Sequence, residues 1–347
     1  MPAAGRDAPV LSAHPSRRRC LAWGAASWLA AAGRPALAAD SLDGVLADAE
    51  RLQPMRSLVV MQHGELKLER AFGRFGTDAL LPINSVTKSV ASMLVGVALR
   101  DGLLPGVDET VARLLPDDAR RWPDSPLLAV TLGQLLRGHS GVAYDFMRDM
   151  RALDGAGDVV AYALALPAGP SGWIYNDAAV ALLGPILNRA CGGDLQAWAE
   201  RELFKPLGIE RWAWATDRQG VPLTWRGLQL RGRDVARLGA VMAAGGRWQG
   251  RALLPPPWVA DSLRPHGPTD WRVAPVADPG YGYLWFTGLL HGQRVAWGWG
   301  YGAQFLMVVP ALQLVVCSST QEPPPQALPA RNREVMALVA RVVALHA

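Results

Sequence analysis

Two hydrophobic periodicities divide this chain of 347 residues into sheet-forming ends and a largely helical middle. Near both ends, apolar residues recur at about every second position, the pattern of strands with a buried face. Short turns separate these segments in pairs, so each pair predicts a β-hairpin. The first hairpin is predicted at residues 57–61 and 65–72, around His63-Gly64, and the second at residues 305–309 and 312–319, around Pro310-Ala311.

A spacing of apolar residues near 3.6 predicts helices in the other segments. Residues 41–52 are amphipathic and predict a helix before the first hairpin, and residues 332–346 predict a helix that closes the chain. Between the hairpins, helical patterns are interrupted by Gly and Pro. The clearest of them are residues 132–137, 178–188, 195–203 and 234–244.

These elements predict a mixed fold of the α/β (α+β) class. A lone hairpin is not stable in water, so we expect both hairpins to join one antiparallel sheet, built from both chain ends and flanked by helices. Roughly residues 100–225 then form a helical lobe inserted between the two ends, and residues 39–347 form one two-lobed domain. We expect the functional cleft between the lobes, a common place for pockets.

The segment that follows Ser85 combines a helical pattern with reactive side chains. Its apolar positions repeat near the helical period at Val86, Val90, Met93, Leu94 and Val97. A polar stripe on another face holds Ser85, Lys88, Ser89 and Ser92. Asn84 is predicted as the N-cap and Gly102 as the C-terminal stop. Ser85 then lies at the positive end of the helix dipole, which favours an alkoxide or an oxyanion.

Ser85 and Lys88 predict a nucleophile and its base. Residues three apart lie side by side on a helix, so the amine can accept the proton of the hydroxyl. The chain has three lysines, Lys67, Lys88 and Lys205, and arginine carries nearly all of its positive charge. Arginine stays protonated in proteins, whereas a desolvated lysine can become neutral near physiological pH. A lysine at position 88 therefore indicates that its titration matters.

Residues 1–38 have the pattern of a cleavable export signal. Arginines 17–19 precede an apolar run at residues 20–32, and residues 36–38 form a cleavage site of the A-x-A type. The run is too short to span a bilayer, so no stable membrane insertion is expected after its removal. Residues 16–21 are similar to a twin-arginine signal, with general secretion as the other route. We expect a periplasmic or secreted protein; an uncleaved basic tail is the alternative.

Charge and composition exclude several function classes. The formal net charge is +5, of which the five arginines and one aspartate of residues 1–38 supply +4. No nucleic-acid-binding signature is present, so no nucleic-acid partner is expected. The six histidines form no metal-binding motif, and the sequence predicts no metal and no cofactor. After removal of the export signal, the remaining cysteines are Cys191 and Cys317, which could be two free thiols or one disulfide.

Three further stretches resemble known enzymes. Residues 130–136 with His139-Ser140-Gly141-Val142 resemble the ITxxxLLxHTSGL stretch of serine β-lactamase-like hydrolases. Tyr175-Asn176-Asp177 is similar to their Y-x-N segment, and residues 300–304, Gly-Tyr-Gly-Ala-Gln, stand where they have a third motif. Over about residues 52–320 the chain thus resembles the superfamily of class C β-lactamases, penicillin-binding proteins and carboxylesterases. The G-x-x-G-Q form of the third motif points to its 6-aminohexanoate-dimer-hydrolase-like branch.

The resemblance implies a β-lactamase/transpeptidase-like fold and catalysis through an acyl-enzyme. Ser85 would attack a carbonyl carbon. Lys88 and Tyr175 would share the general-base and general-acid work, with the lysine ammonium able to hold Tyr175 as a phenolate. The backbone N–H groups of Ser85 and Tyr301 would form the oxyanion hole, beside Gly302.

Two departures from the family pattern bear on the substrate. Asp177, which the resemblance places in the substrate-binding site, stands where the family usually has Asn, and an ionised carboxylate donates no hydrogen bond. Asp177 would also favour a charged Lys88 and move the base role to Tyr175, while Asn176 is expected to point elsewhere. K-T-G and H-T-G are absent near residues 296–298, so the group that would hold a β-lactam carboxylate is missing.

The sequence therefore predicts an exported serine hydrolase that cleaves a carboxylic ester or amide, of a small molecule or a peptide, through an acyl-enzyme on Ser85. A D,D-peptidase or β-lactamase is the alternative enzyme. The alternative outside the enzymes is a catalytically silent member of this superfamily that only binds a ligand or a partner. Asp177 and the third motif keep this alternative open. An apolar pocket wall is predicted from Trp285, Trp297 and Trp299. The acyl group, the leaving group and the oligomeric state stay open.

Overall fold

An antiparallel sheet of eight strands dominates the part of the chain that the computed structural model describes, residues 41–52 and 54–347. The predicted export signal, residues 1–38, lies outside the described residues. The strands, in chain order, are β1 (Met55–Gln62), β2 (Glu65–Ala71), β3 (Leu81–Pro82), β4 (Ala213–Trp214), β5 (Leu228–Leu230), β6 (Arg247–Trp248), β7 (Arg251–Ala252), β8 (Gly267–Pro268), β9 (Ala277–Tyr281), β10 (Phe286–Leu290), β11 (Gln293–Gly300), β12 (Gln304–Val309) and β13 (Leu314–Thr320).

The strand order joins the two ends of the chain. The large sheet runs β2-β1-β13-β12-β11-β10-β9-β8, and β3-β5-β4 and β6-β7 form two small sheets. The pairing of β1 with β13 sets Val59 opposite Cys317. The single sheet predicted from both chain ends is confirmed, as are both hairpins. The second hairpin differs in its turn, because residues 310–312 form a 3₁₀ helix and Gln313 is left-handed (φ 47°), so β13 starts at Leu314.

Helices fill the remaining layers. In chain order they are α1 (Leu42–Arg51), α2 (Val86–Arg100), α3 (Val111–Leu114), α4 (Pro116–Arg121), α5 (Leu132–Leu136), α6 (Phe146–Asp154), α7 (Val159–Leu164), α8 (Asp177–Ala181), α9 (Leu183–Ala190), α10 (Leu195–Ala199), α11 (Gly232–Ala243), α12 (Pro256–Leu263) and α13 (Leu328–Ala344). The helix predicted at 178–188 is two helices, with a break at Leu182. The one predicted at 195–203 continues from α10 into a π-helical turn, Glu200–Phe204.

Both faces of the sheet are covered. Every residue of β12 and β13 is buried, which is typical of strands with helices on either side. Helix α11 packs on β1, β12 and β13, and α1 and α13 pack on each other and on the sheet. The edge strand β2 instead carries exposed charged side chains, Glu65 and Lys67 among them, which discourage pairing with another chain.

Helix α2 is a buried helix between the sheet and the helical lobe. Residues 86–98 are buried without interruption, as expected for a helix that packs on all sides. It contacts β11 and β12 of the sheet and α9 of the lobe. Gly298 on β11 permits this approach, since a Cβ there would lie 2.9 Å from Ser89 Oγ. The strand that carries the third motif is thereby held against the helix that starts after Ser85.

Two further features concern the compartment. Within the described ranges, no helix combines the length and the apolar character needed to cross a bilayer. Cys191 and Cys317 are both free thiols, and Cys317 is buried. The disulfide that the sequence left open is therefore not formed.

Asp234 on α11 carries a buried carboxylate that fastens this helix. Its carboxylate is fully buried and accepts hydrogen bonds from Arg231 Nε at 2.6 Å and Arg237 Nη1 at 3.0 Å. Arg237 also donates to the carbonyl of Gly208 at 2.7 Å. The group therefore links α11 to the loop that follows the π-helical turn.

We expect Asp234→Ala to lower the free energy of unfolding by about 3–5 kcal/mol, because it leaves guanidinium groups without their buried partner. The matched control is Asp261→Ala, which removes an exposed ion pair with Arg264 and is expected to change stability by less than about 1 kcal/mol. Urea denaturation measures both. Equal losses in the two variants would contradict the structural role of Asp234.

Candidate active site

Ser85 stands at the N-terminal boundary of α2. The helix starts at Val86 with Ser85 as its capping residue, and the Ser85 side chain makes no capping hydrogen bond, so the hydroxyl is directed to other partners. The prediction of Asn84 as N-cap was wrong, because Asn84 adopts a left-handed conformation (φ 49°) that Asn tolerates better than most residues. Gly102 ends the helix as predicted, with φ 69° after the cap residue Asp101.

Asn84 instead connects the nucleophile segment to the β11–β12 turn. Its Nδ2 donates to the carbonyl of Tyr301 at 2.8 Å and to Glu322 Oε1 at 2.9 Å. A Cβ at Gly300 would lie 2.5 Å from the carbonyl oxygen of Ile83, so only glycine fits there. These contacts fix the distance between the residue that precedes Ser85 and the third motif.

Lys88 lies beneath Ser85 and is 2% exposed. Its Nζ donates to Ser85 Oγ at 2.7 Å and to the carbonyl of Trp225 at 2.9 Å. The third neighbour is Asp177, whose Oδ1 lies 2.9 Å from Nζ. The Ser-x-x-Lys contact predicted from the sequence is present in the structure.

Lys88 and Asp177 form a buried pair with opposed pKa shifts. Burial lowers the pKa of the Lys88 amine, and the Asp177 carboxylate opposes that shift. Burial likewise raises the pKa of Asp177, and Lys88 opposes it. Desolvation thus brings the proton affinities of the two groups closer together and favours the neutral form of the Lys88 amine.

Tyr175 completes the contacts of Ser85. Burial and the Asp177 carboxylate raise the pKa of Tyr175 well above its usual value, and the neighbouring Ser85 side chain only partly opposes that shift. The phenol therefore rests in its neutral form, against the expectation of a phenolate held by the lysine ammonium. Lys88 Nζ lies 4.8 Å from the centre of the Tyr175 ring, and Trp271 stacks on that ring at 4.3 Å.

Asn176 and Asp177 take different positions at the start of α8. Asn176 is the N-cap: its side-chain oxygen accepts from the Ala179 N–H at 2.9 Å, and its Nδ2 donates to Ser140 Oγ at 3.1 Å. As predicted, the Asn176 side chain points elsewhere than the substrate site at Ser85, because its polar atoms bond to Ala179 and Ser140. Asp177 is 5% exposed and lies against Lys88, the neighbour whose charged form it was expected to favour; a substrate contact by Asp177 stays a prediction.

The expected oxyanion donors are both available. Among the described residues, neither the Ser85 N–H nor the Tyr301 N–H has a backbone or side-chain acceptor, as an oxyanion hole requires. Gly302 has a structural part in the turn: its φ is 83°, and its carbonyl accepts from Gln304 Nε2 at 3.1 Å and from the Thr320 hydroxyl. A substrate contact by Gly302 stays a prediction.

The predicted tryptophan wall is only partly formed. Trp285 and Trp297 are fully buried core residues, so they line no open pocket. Trp299 is half-buried and borders a groove of about 320 Å³ together with Trp271. Trp271 therefore replaces the two buried tryptophans as the aromatic neighbour of the site.

Several site residues escaped sequence reasoning. Trp225 contributes a backbone carbonyl, which leaves no trace in residue type. Trp271 reaches Tyr175 only through folding, since no spacing relates the two. Tyr144 follows the turn at residues 139–142, which made it a candidate to line the cleft or a solvated loop, and its hydroxyl is buried without a hydrogen-bond partner among the described residues.

The arrangement is suited to acyl transfer. It holds a hydroxyl nucleophile, an amine within hydrogen-bond distance, a neutral phenol beside the same hydroxyl, and two N–H groups without acceptors. Within residues 41–52 and 54–347, no three His, Cys, Asp or Glu side chains are grouped as metal ligands.

Comparisons with known proteins identify the family and the fold. A family model described as Beta-lactamase matches residues 48–341. The lovastatin esterase of Penicillium rubens is 27% identical over 199 residues, which cover 49% of this chain and 48% of the esterase. The match thus spans about half the length of that curated relative.

Solved structures share the fold. A Bacillus anthracis protein assigned as a 6-aminohexanoate-dimer hydrolase superposes with a TM-score of 0.69 at 17% identity, over 88% of this chain and 82% of that one. EstCE1, a hydrolase with promiscuous acyltransferase activity, gives 0.68 at 16% identity, over 86% and 97%. At such identities the likeness shows the fold alone, and the predicted β-lactamase/transpeptidase-like fold is confirmed.

Because the pKa of Tyr175 is raised, the folded wild type and Tyr175→Phe should show the same tyrosinate absorbance up to about pH 10, the usual pKa of tyrosine. In denaturant, the two proteins should differ by one tyrosine. A spectrophotometric titration measures both. If the folded variant lacked the amplitude of one tyrosine below that pH, the neutral phenol would be excluded.

Proposed function

The chain belongs to the β-lactamase family, and we propose that it is a serine hydrolase that cleaves carboxylic esters or amides through an acyl-enzyme on Ser85. The observation that carries this proposal is the 2.7 Å contact between Ser85 Oγ and the buried Nζ of Lys88. Tyr175, whose phenol neighbours the same serine, supplies an acid. Together these contacts argue against a silent binding protein, which would need no such pairing.

Acylation begins with the transfer of the Ser85 proton to the neutral amine of Lys88. Oγ forms a bond to the carbonyl carbon, and the resulting oxyanion lies between the N–H groups of Ser85 and Tyr301. When the tetrahedral intermediate collapses, the bond to the leaving oxygen or nitrogen breaks and Tyr175 gives that atom its proton. The Lys88 ammonium then returns a proton to Tyr175. Water releases the acyl group through the same steps in reverse.

An ester is the bond that we favour. The curated relative is named as an esterase and a solved neighbour as a hydrolase with acyltransferase activity. The sequence near residues 296–298 lacks the cationic motif expected for a β-lactam carboxylate, which disfavours a β-lactam substrate. Rapid acylation of Ser85 by penicillin would instead identify a D,D-peptidase or β-lactamase.

We also propose that the enzyme works outside the cytoplasm on a small-molecule or peptide substrate. The support is the sequence pattern of residues 1–38, with its arginines, apolar run and A-x-A site. Mass spectrometry of the protein from a periplasmic fraction should give a chain that begins at Ala39. A chain that keeps residues 1–38 and stays in the cytoplasm would contradict export.

A fluorophosphonate tests the nucleophile, because it phosphonylates an activated serine. Intact mass spectrometry should show one adduct on the wild type and none on Ser85→Ala. The matched control is Ser92→Ala on the same helix, whose buried hydroxyl has no hydrogen-bond partner among the described residues and which should label as the wild type does. An unlabelled, folded wild type would refute the proposed activity.

Lys88→Arg tests the base. Arginine keeps a positive charge but cannot accept the serine proton, so the labelling rate should fall by about 10²–10⁴-fold, the usual contribution of general-base catalysis. Lys205→Arg, which preserves an exposed ion pair with Glu200, should label at the wild-type rate. An unchanged rate in Lys88→Arg would assign the base to another group.

A further inference from the structure

Asp177 is the residue at which this site departs from the family pattern, and its surroundings are specific. It opens α8, is 5% exposed, and has Oδ1 2.9 Å from Lys88 Nζ. A carboxylate at this depth is costly unless a partner compensates for its lost hydration. Its partner is the amine that contacts the nucleophile, so its charge acts directly on that amine.

The three neighbours of Lys88 Nζ fit both protonation states of the amine. An ammonium has three N–H donors, and three acceptors surround it: Ser85 Oγ, the Trp225 carbonyl and Asp177. A neutral amine has two N–H donors and one lone pair. With the donors on Trp225 and Asp177, the lone pair is directed at the Ser85 hydroxyl.

We propose that Asp177 is a positioning residue that acts through Lys88, in the manner of the carboxylate of a catalytic triad. It orients the neutral amine toward Ser85 and stabilises the ammonium that forms when Nζ takes the serine proton. In this step the O–H bond of Ser85 breaks and an N–H bond forms on Lys88, while Asp177 remains a carboxylate. The inference rests on the proposed function and assigns Asp177 a part outside substrate binding.

Other charged and titratable groups face the pair from neighbouring elements. Asp154, at the end of α6, raises the pKa of Lys88, and Arg226, after Trp225, lowers it. These two groups form an ion pair of 2.6 Å that is roughly 40% exposed, so they partly cancel and are screened by solvent. The Tyr144 hydroxyl and the Tyr175 ring are uncharged. Asp177 is therefore the main charge that opposes the desolvation of Lys88.

The charge of Asp177 determines in which direction its removal shifts the pKa of Lys88. The Asp177 carboxylate raises the pKa of Lys88, so Asp177→Asn should lower that pKa further, by about 1–3 pH units, the usual effect of an adjacent opposite charge. The amine then becomes neutral at lower pH.

The three lysines make a direct measurement practical. Isotope-labelled lysine gives three NMR signals, and Lys67→Arg and Lys205→Arg assign the signal of Lys88 by elimination. In the wild type this signal should titrate below the usual pKa of lysine, because burial lowers the pKa of Lys88. In Asp177→Asn it should titrate about 1–3 pH units lower still, while the control Asp154→Asn, at the half-exposed pair, should move it less. Circular dichroism confirms folding, and Asp177→Ser serves if the Asn variant does not fold.

A Lys88 titration that is unchanged or raised in Asp177→Asn would overturn the inference, as would a larger shift in Asp154→Asn. The measurement needs no substrate, so it is independent of the proposed function, which fluorophosphonate labelling tests. With an ester substrate, the acidic limb of the pH profile of kcat/KM should move in the same direction as the NMR titration. If Asp177→Asn raised KM and left the acidic limb of the pH profile unchanged, Asp177 would instead be a substrate-binding residue.

Discussion

The burial of the Lys88 amine in the apolar interior is the constraint on which the rest of this site depends. A buried ammonium without hydrogen-bond acceptors would strongly destabilise the folded protein. The fold therefore has to bring acceptors to Lys88. It does so from three separate parts of the chain: Ser85 at the start of α2, the Trp225 carbonyl before β5, and Asp177 on α8. The same contacts that make the burial tolerable also assemble the reactive groups.

The low dielectric around this amine sets the protonation states of its neighbours. Tyr175 is enclosed by Trp271, Phe286 and the amine itself, and burial keeps its phenol neutral. A neutral phenol is a proton donor, whereas the desolvated amine is a proton acceptor. Burial therefore gives the lysine and the tyrosine different tasks, although both touch the same hydroxyl.

Rigid packing holds these groups in register with the third motif. Gly298 and Gly300 let β11 approach the start of α2 within distances that any side chain would block. Asn84 and Gln304 then fix the carbonyls of the β11–β12 turn with their side-chain amides. The N–H groups of Ser85 and Tyr301 are thus carried by backbone that has little freedom, which is what preorganised stabilisation of an oxyanion requires.

The sequence by itself determined the fold class, the two hairpins, the Ser85 helix and the Ser-x-x-Lys pair, because hydrophobic periodicity and short-range spacing are local properties. It placed Asn84 wrongly, and it offered no sign of Trp225 or Trp271. The positions of those three residues depend on contacts between distant segments and on backbone conformation. The resemblance indicated that Asp177 would favour a charged Lys88, but only the tertiary structure decided that the carboxylate lies 2.9 Å from a fully enclosed amine, because the burial of both groups follows from the packing of distant segments around them.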